Sequence, residues 1–299
     1  MTDLLTVITV TGVAGLATGL GALPVFVRAR VTHQIYDAAL GLAAGLMVAA
    51  SVFGLIIPGM EEGTLAAVMA GLVIGGLVLL GGNYAIPHLH AEYREWFPEG
   101  GATGDDAAAM SLPADSADPV EVATADGETY ESAPDASLGD PNAPIDDPDS
   151  TLRKALLIGG AITLHNAPEG LAIGVAFASG LEEVALLLAV VIGLQNVPDG
   201  FAFAVPMGET GLSNAKVFVY TALSGLVPQV AAGIFGFLLV SVAAGLFPIA
   251  SGFAAGAMLA VVFRELIPSS HGHGYADAAT LAFLLGFVVV VAVDELLVV

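Results

Sequence analysis

Leu164-His165-Asn166-Ala167-Pro168-Glu169-Gly170 and, thirty residues on, Leu194-Gln195-Asn196-Val197-Pro198-Asp199-Gly200 carry one polar pattern twice inside apolar sequence. In a helix, His165 and Glu169 lie four apart on one face, with Asn166 on its flank. Gln195, Asn196 and Asp199 repeat that arrangement. Each proline lacks an N–H and frees the carbonyl four residues earlier, at Leu164 and Leu194. The glycine that closes each motif permits a neighbouring helix to approach closely. A carboxylate in mid-membrane costs about 2.5–3.5 kcal/mol. Neither motif contains a Lys or Arg to pair with Glu169 or Asp199. A bound cation, protons or water must supply the balance.

The surrounding sequence explains why these motifs are read in a membrane. The chain has 299 residues, is 56% hydrophobic and has a mean hydropathy of +0.85, which a soluble domain with its polar surface would not reach. Apolar runs long enough for a hydrocarbon core of ~30 Å fall at 4–27, 35–58, 64–86, 154–178, 183–207, 215–243, 246–268 and 277–298. The expected fold is therefore an all-α integral membrane protein of about eight spans. Three spans (residues 1–90) precede a long acidic loop (91–152), and five (153–299) follow it and carry the paired motifs. From Glu99 to Asp149 the loop holds fourteen acidic residues and no basic one, so much of the net charge of -22 is local to it. It is built from Ala, Asp, Pro, Ser and Gly without apolar periodicity, and is expected to be largely disordered. Tyr93 to Phe97, at its leading edge, has the composition of an interfacial anchor. The start, Met1-Thr2-Asp3-Leu4, lacks the basic segment of a secretory signal, so the first apolar run is expected to be a retained span.

Orientation follows from the basic residues. With both termini outside, Arg28, Arg30, Arg94, Arg153, Lys154, Lys216 and Arg264 all fall on the cytoplasmic side, as the positive-inside rule requires. The external turns carry Glu61, Glu62, Glu182 and Glu183 instead. A multi-pass protein of the cell membrane with a cytoplasmic acidic loop is expected.

The chemistry of the motifs narrows the ligand. There are no cysteines, which excludes thiolate metal sites and cysteine nucleophiles. Imidazole with carboxylate and amide oxygens suits zinc, iron(II), manganese or cadmium better than copper(I), and His165 argues against magnesium or calcium. The candidate metal-ligating set is His165, Asn166, Glu169, Gln195, Asn196 and Asp199, with no organic cofactor and no nucleic-acid partner expected. The bland alternative, hydrogen-bond glue between helices at about 0.6–2 kcal/mol per contact, does not require two acids and two prolines in register. His88, His90, His271 and His273 fall on the cytoplasmic side, either as solvated histidines or as stations for departing metal. Glu265 is expected to pair with its neighbour Arg264. An intramembrane metalloenzyme lacks a His-Glu-x-x-His motif here, and a non-transporting metal sensor that signals through the acidic loop is the other alternative.

At these residues the chain resembles the ZIP family of metal transporters, particularly its prokaryotic GufA-like branch. His165-Asn166-x-Pro168-Glu169-Gly170 is similar to that family's fourth-span signature, and Gln195-Asn196-x-Pro198-x-Gly200 to its fifth. Ile57-Pro58-Gly59-Met60-Glu61, Leu223-Ser224-Gly225-Leu226-Val227 and Glu265-Leu266-Ile267-Pro268 also resemble family segments. The resemblance implies a 3+2+3 arrangement in which spans one to three and six to eight are inverted repeats. It implies a two-metal site between spans four and five, with Met47 of span two near it, and uptake of zinc or another divalent transition metal into the cytoplasm by alternating access. It also allows a homodimer. Two positions depart from the family pattern. Asp199 stands where Glu is usual, and Pro228-Gln229 stand where Glu-Pro is frequent, which weakens the second metal position.

Overall fold

The computed structural model describes residues 3–27, 32–96, 164–208 and 212–297, with side chains described except at Val27, 83–96, Pro206 and Leu297. Among the described residues the chain is helical throughout and contains no strand. The helices are α1 (Leu4–Leu20), α2 (Leu23–Val27), α3 (His33–Ser51), α4 (Ile57–Glu61), α5 (Leu65–Trp96), α6 (164–178), α7 (Glu182–Gly208), α8 (Asn214–Val242), α9 (Phe247–Val261), α10 (Ile267–Ser270) and α11 (Ala276–Leu297). Five-residue π-segments at Val52–Ile56 and Val262–Leu266 join α3 to α4 and α9 to α10.

Seven stretches are long and apolar enough to cross a membrane: Leu4–Phe26, His33–Glu61, Leu65–Gly82, Glu182–Val205, Asn214–Val242, Ala244–Ser270 and Ala276–Leu296. With α6, the described part of the expected fourth span, they match the eight apolar runs. Apolar side chains such as Leu77, Val78, Leu281, Leu285 and Val288 are exposed on the outside of the bundle, where lipid is the solvent. Helix α5 continues to Trp96, past the end of its apolar run and into the stretch assigned from sequence to the acidic loop. The expectation of disorder for that loop lies outside the described residues.

Local signals set the helix ends. Asp3 caps α1 by accepting from Thr6 N at 2.8 Å, and Thr32 caps α3 by accepting from Ile35 N at 3.3 Å. Gly180 and Gly274, at φ 85° and 86°, make the left-handed turns before α7 and α11. Helix α6 passes unbroken through Pro168, α7 through Pro198 and α8 through Pro228.

The helices sort into two bundles. In one, α1 packs along α8 and α7, and α6 lies on α8. In the other, α3 packs along α11, and α9 lies on α5. Within each bundle glycines bring backbones into direct contact. A Cβ at Gly170 would overlap the Gln229 carbonyl, and one at Gly200 the Thr18 carbonyl. Likewise a Cβ at Gly45 would overlap the Phe283 carbonyl, and one at Gly256 the Leu72 carbonyl. Between the bundles, α3 runs against α7 with side chains in the seam. There Gly54 receives the Leu188 side chain, and Tyr36 meets Phe201 at a ring separation of 5.9 Å.

An internal repeat underlies this pairing. Gly41-Leu42-Ala43-Ala44-Gly45-Leu46-Met47 in α3 recurs 211 residues later as Gly252-Phe253-Ala254-Ala255-Gly256-Ala257-Met258 in α9. Val52-Phe53, followed by Ile57-Pro58, recurs 210 residues later as Val262-Phe263 and Ile267-Pro268, and both copies form a π-segment. The contacts repeat with the sequence. Gly41 and Gly45 face Ala279 and Phe283 of α11, while Gly252 and Gly256 face Val68 and Leu72 of α5. Equivalent spans (one and six, two and seven, three and eight) are separated by an odd number of crossings, so the copies run in opposite directions.

Candidate metal centre

Helices α6 and α7 meet in the first bundle, each held on the flanking helices by its asparagine. Asn166 Nδ2 donates to the Ser224 carbonyl on α8 at 3.4 Å, and Asn196 Nδ2 donates to the Ala14 carbonyl on α1 at 2.8 Å. Ser224 and Ala14 are themselves 210 residues apart, so the thirty-residue motif repeat and the longer repeat describe one pseudo-twofold arrangement. Gly170 and Gly200 allow it, since only a missing Cβ lets α8 and α1 come within reach of the asparagines. Asn196 Nδ2 also donates to Gln229 Oε1 at 2.9 Å, and Gln195 Nε2 donates to Glu169 Oε1 at 2.8 Å.

In Gln195 and Asn196 the amide N–H groups are spent on neighbours, which leaves acceptors over. Glu169 Oε2, Gln195 Oε1, Asn196 Oδ1 and Asp199 Oδ1 are all buried and accept no hydrogen bond from the protein. Glu169, Gln195 and Asn196 have no exposed surface. Each unsatisfied buried polar group costs about 1–3 kcal/mol, and more when charged. Four acceptors that take no hydrogen bond from the protein, two of them on carboxylates, are oxygens of the kind a divalent cation binds. Glu169 and Asp199 interact electrostatically with each other, and Asp199 also with His165 and Glu265. No three His, Asp or Glu side chains among the described residues stand at the spacing of a metal cage. A cation here therefore draws on amide oxygens as well as acids.

The structure brings in a residue that sequence reading placed elsewhere. Glu265, on the second π-segment, reaches across the seam so that its Oε2 lies 2.5 Å from His165 Nε2. Glu265, expected to pair with Arg264, thus also stands against His165: its carboxylate belongs to the neighbourhood of the site, while Arg264 is exposed. The signal available in the sequence was an acid inside a span-length apolar run, the same signal that singled out Glu169. Met47 is buried in the apolar core.

A second polar cluster lies at the start of α3. Asp37 is fully buried, and its Oδ1 lies 2.7 Å from His273 Nδ1. The His33 ring stacks on His273 at 4.4 Å, and Tyr36 meets it edge-on at 5.6 Å. His271 Nδ1 lies 3.0 Å from the Ile267 carbonyl and 3.0 Å from Ser270 Oγ. The side chains of His88 and His90 lie outside the described residues.

An all-helical, many-span architecture with a buried, acidic, donor-poor centre defines a polytopic membrane protein that handles cations. A family model described as ZIP Zinc transporter matches residues 4–294. The chain is 35% identical over 318 residues to the zinc transporter ZIP11 of Homo sapiens, covering 93% of each chain. It is 33% identical over 290 residues to the zinc transporter GufA of Myxococcus xanthus, covering 94% of each. The zinc transporter ZIPB of Bordetella bronchiseptica is 33% identical over 303 residues, with 96% of this chain and 80% of the relative covered. The chain belongs to the ZIP zinc transporter family.

Proposed function

We infer that this protein carries divalent transition-metal cations, zinc first among them and iron, manganese or cadmium as further substrates, across the cell membrane into the cytoplasm. The observation that carries the reading is the set of four buried acceptor oxygens on Glu169, Gln195, Asn196 and Asp199 with no donor to satisfy them. Together with His165 and Asn166 they supply nitrogen and oxygen ligands of the kind borderline metals accept. The two carboxylates bring the charge that makes a dehydrated dication tolerable in a low-dielectric interior.

The two-bundle construction supports transport by alternating access. Each bundle is joined internally through glycine backbone contacts that leave no slack, and the seam between them is made of side chains such as Leu188 on Gly54. Relative motion of two such bodies disturbs rotamers without breaking the close backbone contacts. Glu265 crosses that seam to His165. Cargo reaching His165 competes with Glu265 for the imidazole, so loading and bundle position are coupled. In this reading both termini and the turns carrying Glu61, Glu62, Glu182 and Glu183 face outward. Arg264 and the acidic loop face the cytoplasm, and the family resemblance allows a homodimer.

Zinc uptake into proteoliposomes, compared among wild type, Glu169→Ala and His165→Ala, tests the reading. Saturable uptake that both substitutions abolish is expected. A well-folded protein that moves none of zinc, iron, manganese or cadmium would overturn it in favour of a sensor.

A further inference from the structure

The start of α3 and the turn before α11 share a polar contact that the buried centre does not use. Asp37 has no exposed surface. Its Oδ1 lies 2.7 Å from His273 Nδ1, and its Oδ2 is buried without a hydrogen-bond partner. An ionised aspartate can only accept, so His273 Nδ1 then carries the proton of this contact. The His273 ring is held on two sides, stacked by His33 at 4.4 Å and met edge-on by Tyr36 at 5.6 Å. Beyond Tyr36 the rings cross the seam between the bundles, because Tyr36 also meets Phe201 of α7 at 5.9 Å.

Position gives this contact a role. Gly54 faces Leu188 and Tyr36 faces Phe201, so the second span and α7 run antiparallel along the seam. Residues 36 and 54 are separated by roughly 27 Å at the helical rise, close to the ~30 Å of a hydrocarbon core. The two pairs therefore stand at opposite ends of the seam. At one end a leucine fills the notch of a glycine. At the other two rings meet, and His273 backs one of them. In the orientation given by the basic residues, the ringed end is the cytoplasmic one.

The internal repeat shows what is particular to that end. At offsets of 211 and 210 residues, Tyr36-Asp37 corresponds to Phe247-Pro248 and His273 to Gly63. The fold repeats the contact, since a Cβ on Gly63 would overlap the Pro248 ring. There apolar packing alone joins the start of a span to the turn beside it. In the Asp37 copy a buried carboxylate and an imidazole take its place. Parting them would strand a buried charge, a cost that the proline–glycine contact does not carry.

We propose that Asp37 and His273 are positioning residues of a cytoplasmic closure: they hold Tyr36 against Phe201 and so keep the inner end of the seam shut while the site is open to the outside. The proposal rests on the transport reading and orientation above. Leu40, 3% exposed, lies one turn further into α3 than Tyr36 and on the same face, so Leu40→Cys places the only thiol of the chain behind the rings. Its rate of reaction with a membrane-impermeant thiol reagent is measured from each face, in inverted and right-side-out vesicles carrying the full-length protein. Asp37→Leu, His273→Phe and Tyr36→Ala should each speed labelling from the cytoplasmic face roughly tenfold, the population shift that loss of one charge-assisted contact commonly produces. None should speed it from the outer face. Tyr36→Phe, which keeps the ring, should label at the unmodified rate. Tyr36→Ala/Asp37→Leu should label no faster than Tyr36→Ala, because residues acting through one closure are not additive. Unchanged labelling in Asp37→Leu and His273→Phe, equal acceleration from both faces, or additive acceleration in the double variant overturns the proposal. If Asp37→Leu does not fold, His273→Phe decides. Wild-type protein that moves no metal while labelling follows this pattern would overturn the transport reading and leave the closure standing.

Discussion

The two bundles share a backbone plan and differ in what they bury. Glycines at equivalent positions seat α3 on α11 and α9 on α5 with one set of contacts. In the other bundle the repeat pairs Gly170 with Gln229 and Gly200 with Thr18. Yet the bundle of α1, α6, α7 and α8 buries Asn166, Glu169, Gln195, Asn196, Thr221 and Gln229, whereas α3 and α9 bury mainly alanines, leucines and methionines. Close packing is a property of the repeat as a whole, and the buried amides and Glu169 are concentrated in one half of it. In the second bundle the buried hydroxyls of Ser51, Ser251 and Ser270 bond within their own helices, and the acids are local, with Asp37 buried at the start of α3 and Glu265 half-buried on its π-segment.

Crosslinking should separate the halves most sharply. The chain has no cysteines, so an introduced pair is unambiguous. A Gly54→Cys/Leu188→Cys disulfide spans the seam and should abolish zinc uptake until a reductant is added. An Ala14→Cys/Gly193→Cys disulfide lies within the first bundle, where a Cβ on Gly193 would stand 4.0 Å from that of Ala14, a distance a disulfide bridges. It should leave uptake intact. Equal inhibition by both would mean that the bundles do not move as units.

Substitutions at glycines come next in size. Gly45→Val drives side-chain atoms into the Phe283 backbone and should cost ~3 kcal/mol, read as a lower melting temperature in detergent. Gly54→Ala meets only the far end of the Leu188 side chain, which can shift. Its stability should stay within about 0.5 kcal/mol of wild type, with any change appearing in transport rate. A melting temperature as low as that of Gly45→Val would show that the seam is as rigid as the bundle interiors.

The smallest effect belongs outside the membrane. The Thr6 side chain, and then its backbone N–H, hydrogen-bond the Asp3 carboxylate and hold its pKa below the usual value. The sign follows from the depressed folded-state pKa. The cap contributes fully above the unfolded-state value and is lost as pH falls through the folded-state one. Asp3→Asn should flatten that acid-side slope in thermal unfolding while leaving zinc uptake at neutral pH unchanged.

Much of this was legible in the sequence because the membrane penalises polarity and so makes it informative. The eight runs and the thirty-residue motif repeat follow from hydropathy and helix spacing. The motif repeat also brought Asn166 and Asn196 to equivalent anchors in space. The 211-residue repeat is harder to see. A one-residue slip between Met47 and Val52, relative to Met258 and Val262, breaks its register, and small apolar residues repeat in any membrane helix. The contact of Glu265 with His165 was missed for a physical reason. A neighbour in sequence offers an obvious partner, while the approach of His165 depends on how two bundles meet. The unpartnered oxygens of Gln195 and Asn196 belong to the same class, since donor and acceptor accounts close only in three dimensions.

The twin π-segments carry a thermodynamic consequence. In a scaffold of two antiparallel copies, the outward-facing and inward-facing arrangements are each other's image with the copies exchanging roles. Were the copies identical, the two arrangements would be isoenergetic and equally populated. The resting preference is therefore written only where the copies differ. Gly54-Leu55 against Arg264-Glu265 is one such place, and Thr18 against Gln229 another. At about 1.4 kcal/mol per tenfold change in population, a single side chain at one of these positions suffices to set which way the empty carrier waits.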